Sequence, residues 1–262
     1  MELGLTNRVA LVTAASRGLG YACAMALAQE GARVAICSRS KTRIHAAASS
    51  IAKATGSRVI GIQTDLTKEE QLPQLVRHVE STLGSIEILI SNTGNPPSGR
   101  FAITSDKAWA LGTALCLRPP IVLCRHVLPG MRKRKSGRII FISSTFALEP
   151  DEGYIVSSTM RAALGAFSKC LAREAGPDGV SVNVVCPGYC DTPLLRSLAQ
   201  RHAVTLKKPF ADILSAWAHL APAGRLGRAS DIGTLVALLA SPVSGFIQGT
   251  AIPSDGGMLR GR

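Results

Sequence analysis

Seven short apolar runs, each four to seven residues long, alternate with longer segments of helical period, and this alternation constrains the fold more than any other feature of the chain. The runs are Arg8–Thr13, Arg33–Ser38, Arg58–Thr64, Ile86–Ser91, Arg138–Ser143, Val180–Cys186 and Thr250–Pro253. Helical patterns fall near 18–30, 41–55, 68–83, 104–134, 155–176 and 229–240. Within the runs apolar residues are nearly continuous rather than alternating with polar ones. Strands read that way when both of their faces are covered, as in a parallel sheet with helices on each side. The pattern therefore predicts a doubly wound parallel α/β sheet of about seven strands with helices on both faces. No linker, repeat or low-complexity tract divides the 262 residues, so a single domain is expected. One segment breaks the rhythm: residues 188–226 form a long insertion after the sixth run. Ligands of open sheets sit outside the carboxyl ends of the strands, and this insertion leaves such an end, so it reads as a substrate lid.

Composition excludes several classes. Hydrophobic residues make up 46% and charged residues 18%, with 25 Gly and 14 Pro, which fits neither a disordered nor a fibrous chain. No apolar run approaches the roughly 20 residues that cross a bilayer, so no membrane partner is expected. The segment Met1–Asn7 lacks a basic region followed by an apolar one, and the expected location is the cytoplasm. Seven Cys (23, 37, 116, 124, 170, 186 and 190) include no Cys-x-x-Cys pair and mostly fall inside apolar runs, as buried reduced thiols do. None of the five His lies three to five residues from another, so no metal site is expected. The net charge of +13 suits acidic partners. Its densest source is Arg132-Lys133-Arg134-Lys135. The plain reading is a solvated helix C-terminus, where cations complement the macrodipole. Docking of an acidic carrier protein or nonspecific attraction to nucleic acid are the sharper ones, and no nucleic-acid-binding motif supports the latter.

After the first run comes Thr13-Ala14-Ala15-Ser16-Arg17-Gly18-Leu19-Gly20 and then a helical pattern through Glu30. A strand, a tight turn of small residues and a helix N-terminus make an anion site, where backbone N–H groups and the positive end of the helix dipole face a pyrophosphate. Gly18 and Gly20 permit its close approach. The second run ends in Cys37-Ser38-Arg39. A free ribose 2′-OH calls for a carboxylate there and a 2′-phosphate for a cation, so Ser38 and Arg39, with Arg17 inside the turn, favour NADP (as NADPH) over NAD.

At this point the chain resembles the short-chain dehydrogenase/reductase family, and within it the 3-oxoacyl-acyl-carrier-protein reductase branch, over nearly its whole length. Segment 13–20 is similar to the family's Thr-Gly-x-x-x-Gly-x-Gly turn, with Ala14 in place of the first Gly, one small residue for another. Asp65-Leu66 resembles the pair that contacts the adenine. Ser91-Asn92-Thr93-Gly94 resembles the Asn-Asn-Ala-Gly motif, with Asn92 and Gly94 kept. Pro187-Gly188 and Thr192 resemble the segment that holds the nicotinamide amide, and Asp255-Gly256-Gly257 the C-terminal signature. The resemblance implies a Rossmann-type dinucleotide-binding domain with a small-molecule carbonyl substrate, carrier-bound acyl groups among the options. It also implies a homodimer or homotetramer built through the helices at 104–134 and 155–176.

Carbonyl reduction needs a hydride and a proton. The resemblance implies that the proton comes from a Tyr helped by a Lys four residues later, with a Ser polarising the carbonyl and an Asn holding a relay water. Ser144 stands at the Ser position. Aligning Ala162-Ala163-Leu164 with the family's Lys-Ala-Ala-Leu puts Arg161 at the Lys and Ser157 at the Tyr, thirteen residues after Ser144. The Asn position is Cys116. Arg161 keeps a positive charge that could bind a ribose hydroxyl, although its planar fork is not an ammonium. Ser157 is the serious loss, since an aliphatic hydroxyl is a far weaker acid than a phenol of pKa about 10. Tyr154, nearly one turn before Ser157 if the helix extends that far, is a displaced candidate for the proton, set against a solvated tyrosine at a helix start. Two functions stay open: an NADP-dependent oxidoreductase acting on a carbonyl or secondary alcohol, and a relative that has lost catalysis and serves as a nucleotide-binding or protein-interaction scaffold.

Overall fold

The computed structural model describes residues 2–261. Seven parallel strands form the central sheet: β1 (Val9–Val12), β2 (Arg33–Ser38), β3 (Val59–Gln63), β4 (Ile88–Ser91), β5 (Gly137–Ile142), β6 (Val180–Pro187) and, last in the chain, β9 (Ala251–Ser254). Their order is β3-β2-β1-β4-β5-β6-β9. Every residue of β1, β4, β5 and β6 is buried, which is the reason these strands read as continuous apolar runs. One face carries α1 (Gly18–Gln29), α2 (Lys41–Thr55) and α9 (Ala229–Ala240), packed around Leu27, Ile36, Ile44 and Val236. The other carries α3 (Gln71–Leu83), α5 (Arg118–Lys133) and α6 (Ile155–Ala175), around Leu75, Leu123, Phe141 and Leu164. The crossovers on the two sides of β1 run in opposite directions along the sheet, so a crevice opens at the carboxyl ends of β1 and β4, where open α/β sheets bind their ligands.

The helical pattern at 104–134 is not one helix. It divides into α4 (Asp106–Gly112), a wide π turn at Thr113–Leu117 and α5. Pro119 and Pro120 lack the N–H groups that would bond the carbonyls of Leu115 and Cys116, so the helical ladder cannot run through at that point. Taken together, 106–133 is long and apolar enough to cross a membrane on composition alone, but half of its most apolar stretch is buried in this fold, as in a core helix. Gly112 lets α4 approach α6 closely: a Cβ there would lie 2.2 Å from Cγ1 of Val156.

The insertion contains α7 (Pro193–Leu206) and α8 (Phe210–His219), bounded by β7 (Cys190–Asp191) and β8 (Gly227–Arg228), which pair in parallel. Three of the four cations of the basic run are engaged within the fold, and Lys133 is exposed. Arg132 pairs with Glu174 at 2.7 Å, Lys135 with Asp178 at 2.5 Å, and Arg134 donates to the carbonyl of Ile86.

Candidate active site

The turn after β1 is held from below. Thr13 Oγ1 donates to the carbonyl of Asn92 at 2.6 Å and accepts from its N–H at 2.9 Å, while Asn92 Nδ2 donates to the carbonyl of Ala14. Thr13 and Asn92 therefore lock the ends of β1 and β4 together beneath the turn. A Cβ on Gly20 would stand 2.7 Å from the carbonyl oxygen of Ala14 and 2.8 Å from Asn92 Nδ2, so the turn closes only with glycine there. Gly18 has φ +63°, and a Cβ on it would point at Thr192, 3.8 Å away. The turn and the start of the insertion thus lie side by side.

Ala14 is a larger departure than one small residue for another. Its φ is +48°, in the left-handed region that a side chain disfavours by about 1–2 kcal/mol, and this cost explains why the motif it resembles has glycine at that place.

Helix α1 begins without a capping side chain: its N-cap, Arg17, makes no such bond and its first turn holds no acidic residue. Helices α2, α4 and α7 are capped by Ser40, Ser105 and Thr192, whereas α3, α5, α6 and α8, like α1, carry no side-chain cap. The first N–H groups of α1 therefore lack a side-chain partner. Arg17 and Arg39 are exposed, and neither pairs with a described carboxylate. Ser16 is half-buried in the turn. Leu19 packs on the core, and Leu66 is buried in it, so the Leu66 side chain is not available to a ligand. Ser38 Oγ donates to the carbonyl of Ser40, and one oxygen of Asp65 accepts from both the N–H and the hydroxyl of Thr67. Gly94 accepts a weak bond from the Cys116 thiol. Gly188, after Pro187, donates to Ser254, and a Cβ on it would lie 2.8 Å from that of Asp255, which accounts for a glycine beside the Asp-Gly-Gly signature.

Arg161 is 5% exposed and anchored on neutral acceptors. Its Nε donates to Ser157 Oγ at 3.1 Å, Nη1 to the carbonyls of Ile142 (3.3 Å) and Ser143 (2.8 Å), and Nη2 to Oδ1 of Asn95 (2.9 Å). Four of its five N–H groups are thereby used, and none meets a described carboxylate. Arg161 thus ties α6 to the end of β5 and to the loop after β4, and one of its N–H groups remains for the ribose hydroxyl expected of it. Asn95 was not recognisable as its partner, because 66 residues separate them.

Ser144 lies just past β5, half-buried, with its oxygen accepting from the N–H of Phe146 at 3.2 Å, which leaves its proton free to donate. Tyr154 is not part of α6. It is the N-cap, with φ −129° and ψ 37°, and its ring stacks on Phe146 with centroids 4.8 Å apart. Burial and the Asp151 charge raise its phenol above the usual range, against the pull of Arg201. Burial likewise pushes up the Cys116 thiol, opposed by Arg161, and pushes Cys186 up to about 11, so neither supplies a reactive thiolate at neutral pH. A further tyrosine escaped notice in the sequence. Tyr189 directly follows Pro187-Gly188 and stacks on Trp217 of α8, with centroids 5.1 Å apart and planes 3° from parallel. Burial, followed by the charges of Tyr154 and Asp151, pushes it up to about 12, which places the two phenols within each other's field.

A parallel doubly wound sheet with a glycine turn at its switch point, and Ser144 just past the end of β5, defines a dinucleotide-binding oxidoreductase architecture. The chain belongs to the short-chain dehydrogenase/reductase family of oxidoreductases: the family described as enoyl-(acyl carrier protein) reductase matches residues 13–259. It is similar to the 3-oxoacyl-acyl-carrier-protein reductase of Pseudomonas aeruginosa, 33% identical over 98% of this chain and 99% of the relative. The corresponding Escherichia coli reductase is 32% identical over the same shares. Among solved structures, L-sorbose reductase from Gluconobacter frateurii, complexed with NADPH and L-sorbose, superimposes over 100% of both chains with a TM-score of 0.95 and 30% identity.

Proposed function

We propose that the chain is an NADPH-dependent reductase of a carbonyl group, running in reverse as a secondary-alcohol dehydrogenase. The observation that carries this reading is the uncapped N-terminus of α1, which begins at Gly18 next to Thr192, with Arg17 and Arg39 exposed and outside every described ion pair. That arrangement fits a pyrophosphate on the helix N-terminus and a 2′-phosphate on Arg39. When bound, NADPH supplies the hydride. Ser144 donates a hydrogen bond to the substrate oxygen, and Tyr154 supplies the proton from the mouth of the cleft. The relatives act on a 3-oxoacyl carrier and on a ketose, and a ketone is what those substrates share.

With its phenol raised rather than lowered, Tyr154 is a weaker acid than one helped by an adjacent ammonium, so slow turnover is expected. The insertion at 188–226 serves as the substrate lid. The exposed Ala162 and Ala166 of α6 would allow a second copy to pack closely, in a homodimer or homotetramer.

The test is NADPH oxidation by the purified protein with a panel of ketones, including a 3-oxoacyl thioester. Ser144→Ala is expected to abolish turnover with NADPH affinity unchanged, and Tyr154→Phe to slow it by about 100-fold, the scale of one general acid. Full activity in Tyr154→Phe removes that residue from the mechanism. A second reading, a nucleotide-binding scaffold without turnover, draws on the commitment of Arg161 to backbone carbonyls; NADPH binding with no oxidation across the panel would favour it.

A further inference from the structure

One guanidinium gathers the polar groups around Ser144. Arg161 donates from Nε to Ser157 Oγ, from Nη1 to the carbonyls of Ile142 and Ser143, and from Nη2 to Oδ1 of Asn95, every contact between 2.8 and 3.3 Å. Its surroundings are neutral. Arg161 takes part in no described ion pair, and burial holds the nearby thiols of Cys116 and Cys186 protonated against its pull. A cation 5% exposed without a counter-ion is costly, and the cost falls when an anion reaches it. The groups around it also have donors left over. Arginine carries donors only, so Asn95 must turn its oxygen toward Arg161 and its Nδ2 away. Ser157 accepts from Arg161 and Ser144 from the N–H of Phe146, and neither hydroxyl proton has an acceptor among the described residues. The buried Ser143 hydroxyl has no hydrogen-bond partner, and the Cys186 thiol beside it is a weak acceptor. Asn95 is exposed and Ser144 half-buried, so the cluster is open to a ligand at these two residues.

An uncompensated positive charge ringed by spare donors calls for a ligand group that is negative and only accepts. A carboxylate is both, and its bonds to such donors are charge-assisted. The ketone of a 3-oxoacyl thioester or of a ketose has no charge beside it, so neither would use the cation. Ser144 directly follows Ser143, whose carbonyl Arg161 holds at 2.8 Å. A ketone oxygen on Ser144 and a carboxylate before Ser157 and Asn95 therefore fit neighbouring carbons of one molecule. Resting on the carbonyl-reductase reading above, we propose that the site selects a 2-oxo acid, with its carboxylate on the Ser157 hydroxyl and Asn95 Nδ2 and the Arg161 charge behind both. Asn95 is the specificity-determining residue. Arg161 acts through the two groups it orients, and its remaining N–H is left for the ribose. Hydride addition from NADPH to the ketone carbon, with protonation of its oxygen, turns such a substrate into a 2-hydroxy acid.

The experiment is calorimetry of the full chain with 2-oxopentanoate, its methyl ester and 2-pentanone, each with and without NADP⁺. The acid is expected to bind about tenfold more tightly than the ester or the ketone, the scale of one charge-assisted contact. Asn95→Asp sets a carboxylate against Arg161, so it should abolish that preference, raise the melting temperature and leave the ester affinity within about twofold of its starting value. Asn95→Ala removes the donor without adding charge and should weaken the acid alone by about fivefold; it decides the matter if the aspartate variant fails to fold. Equal affinities for acid and ester, or a preference that survives Asn95→Asp, overturn the proposal. NADP⁺ binding with no preference for the acid refutes the 2-oxo acid assignment alone, whereas a preference for the acid without NADP⁺ binding supports the assignment and refutes the reductase reading.

Discussion

Replacing Arg161 by methionine keeps a long stem of similar volume and removes every donor. The Ser143 carbonyl, bonded at 2.8 Å, would lose its closest partner, and the Ile142 carbonyl a longer one at 3.3 Å. Leaving a buried acceptor unsatisfied costs about 1–3 kcal/mol. Asn95 is exposed and Ser157 can rotate, so their losses are smaller. Against this stands a gain: Arg161 is a buried cation with no described carboxylate partner, and its removal relieves desolvation. The balance is a net loss of about 2–4 kcal/mol, which lowers the melting temperature of a chain this size by roughly 5–15 °C. Arg161→Lys, which offers donors from one nitrogen, should fall about halfway between. The assay is urea and thermal unfolding with NADPH titration of each variant. NADPH affinity should change little in the methionine variant. Unchanged stability with strongly weakened NADPH binding would refute the reasoning, because it would return Arg161 to the ligand.

Three further outcomes are expected. Arg39→Asp should weaken NADPH by about tenfold, the scale of one charge-assisted contact, and leave NADH nearly unaffected in parallel titrations. Ala14→Gly relieves about 1–2 kcal/mol of backbone strain and costs about 0.4–1 kcal/mol of unfolded-state entropy, so calorimetry should show a small net rise in melting temperature; a fall would contradict the strain. Burial holds Cys23 and Cys37 at about 12, Cys190 at about 11 and Tyr189 at about 12, all above their unfolded values, so the folded state keeps protons that the unfolded chain releases. Their contribution to stability is complete below the unfolded thiol value of 9.0 and is lost as pH rises through the folded values, so the urea midpoint should fall between about pH 9 and 12; a flat profile there would show that these groups are not buried.

The sheet was legible because burial on both faces writes itself into consecutive residues: Ile139, Ile140 and Phe141 can be nothing but interior. The glycine turn after β1 was legible because its glycines answer local steric demands, as Gly20 does against Ala14. The interruption at Thr113–Leu117 was available in Pro119-Pro120, yet the apolar period runs straight through it and masked the missing donors. The strain at Ala14 appears only in its φ. What sequence could not give was partnership across the chain. Spacing found Ser157 and Arg161 as substitutes, but their bonding to each other and to Asn95, 66 residues away from Arg161, depends on how β4, β5 and α6 meet. The stacking of Tyr189 on Trp217 likewise joins the two ends of the insertion, and neither residue carries a motif that marks it.

The central claim is that the dinucleotide end is intact and built for a 2′-phosphate although the Tyr/Lys positions have changed. Calorimetric titration of the purified chain with NADPH and NADH tests it most directly. Micromolar binding of NADPH, with NADH at least tenfold weaker, is the expected result, since one lost charge-assisted contact is worth about that factor. Binding of neither nucleotide, or an equal affinity for both, would contradict it.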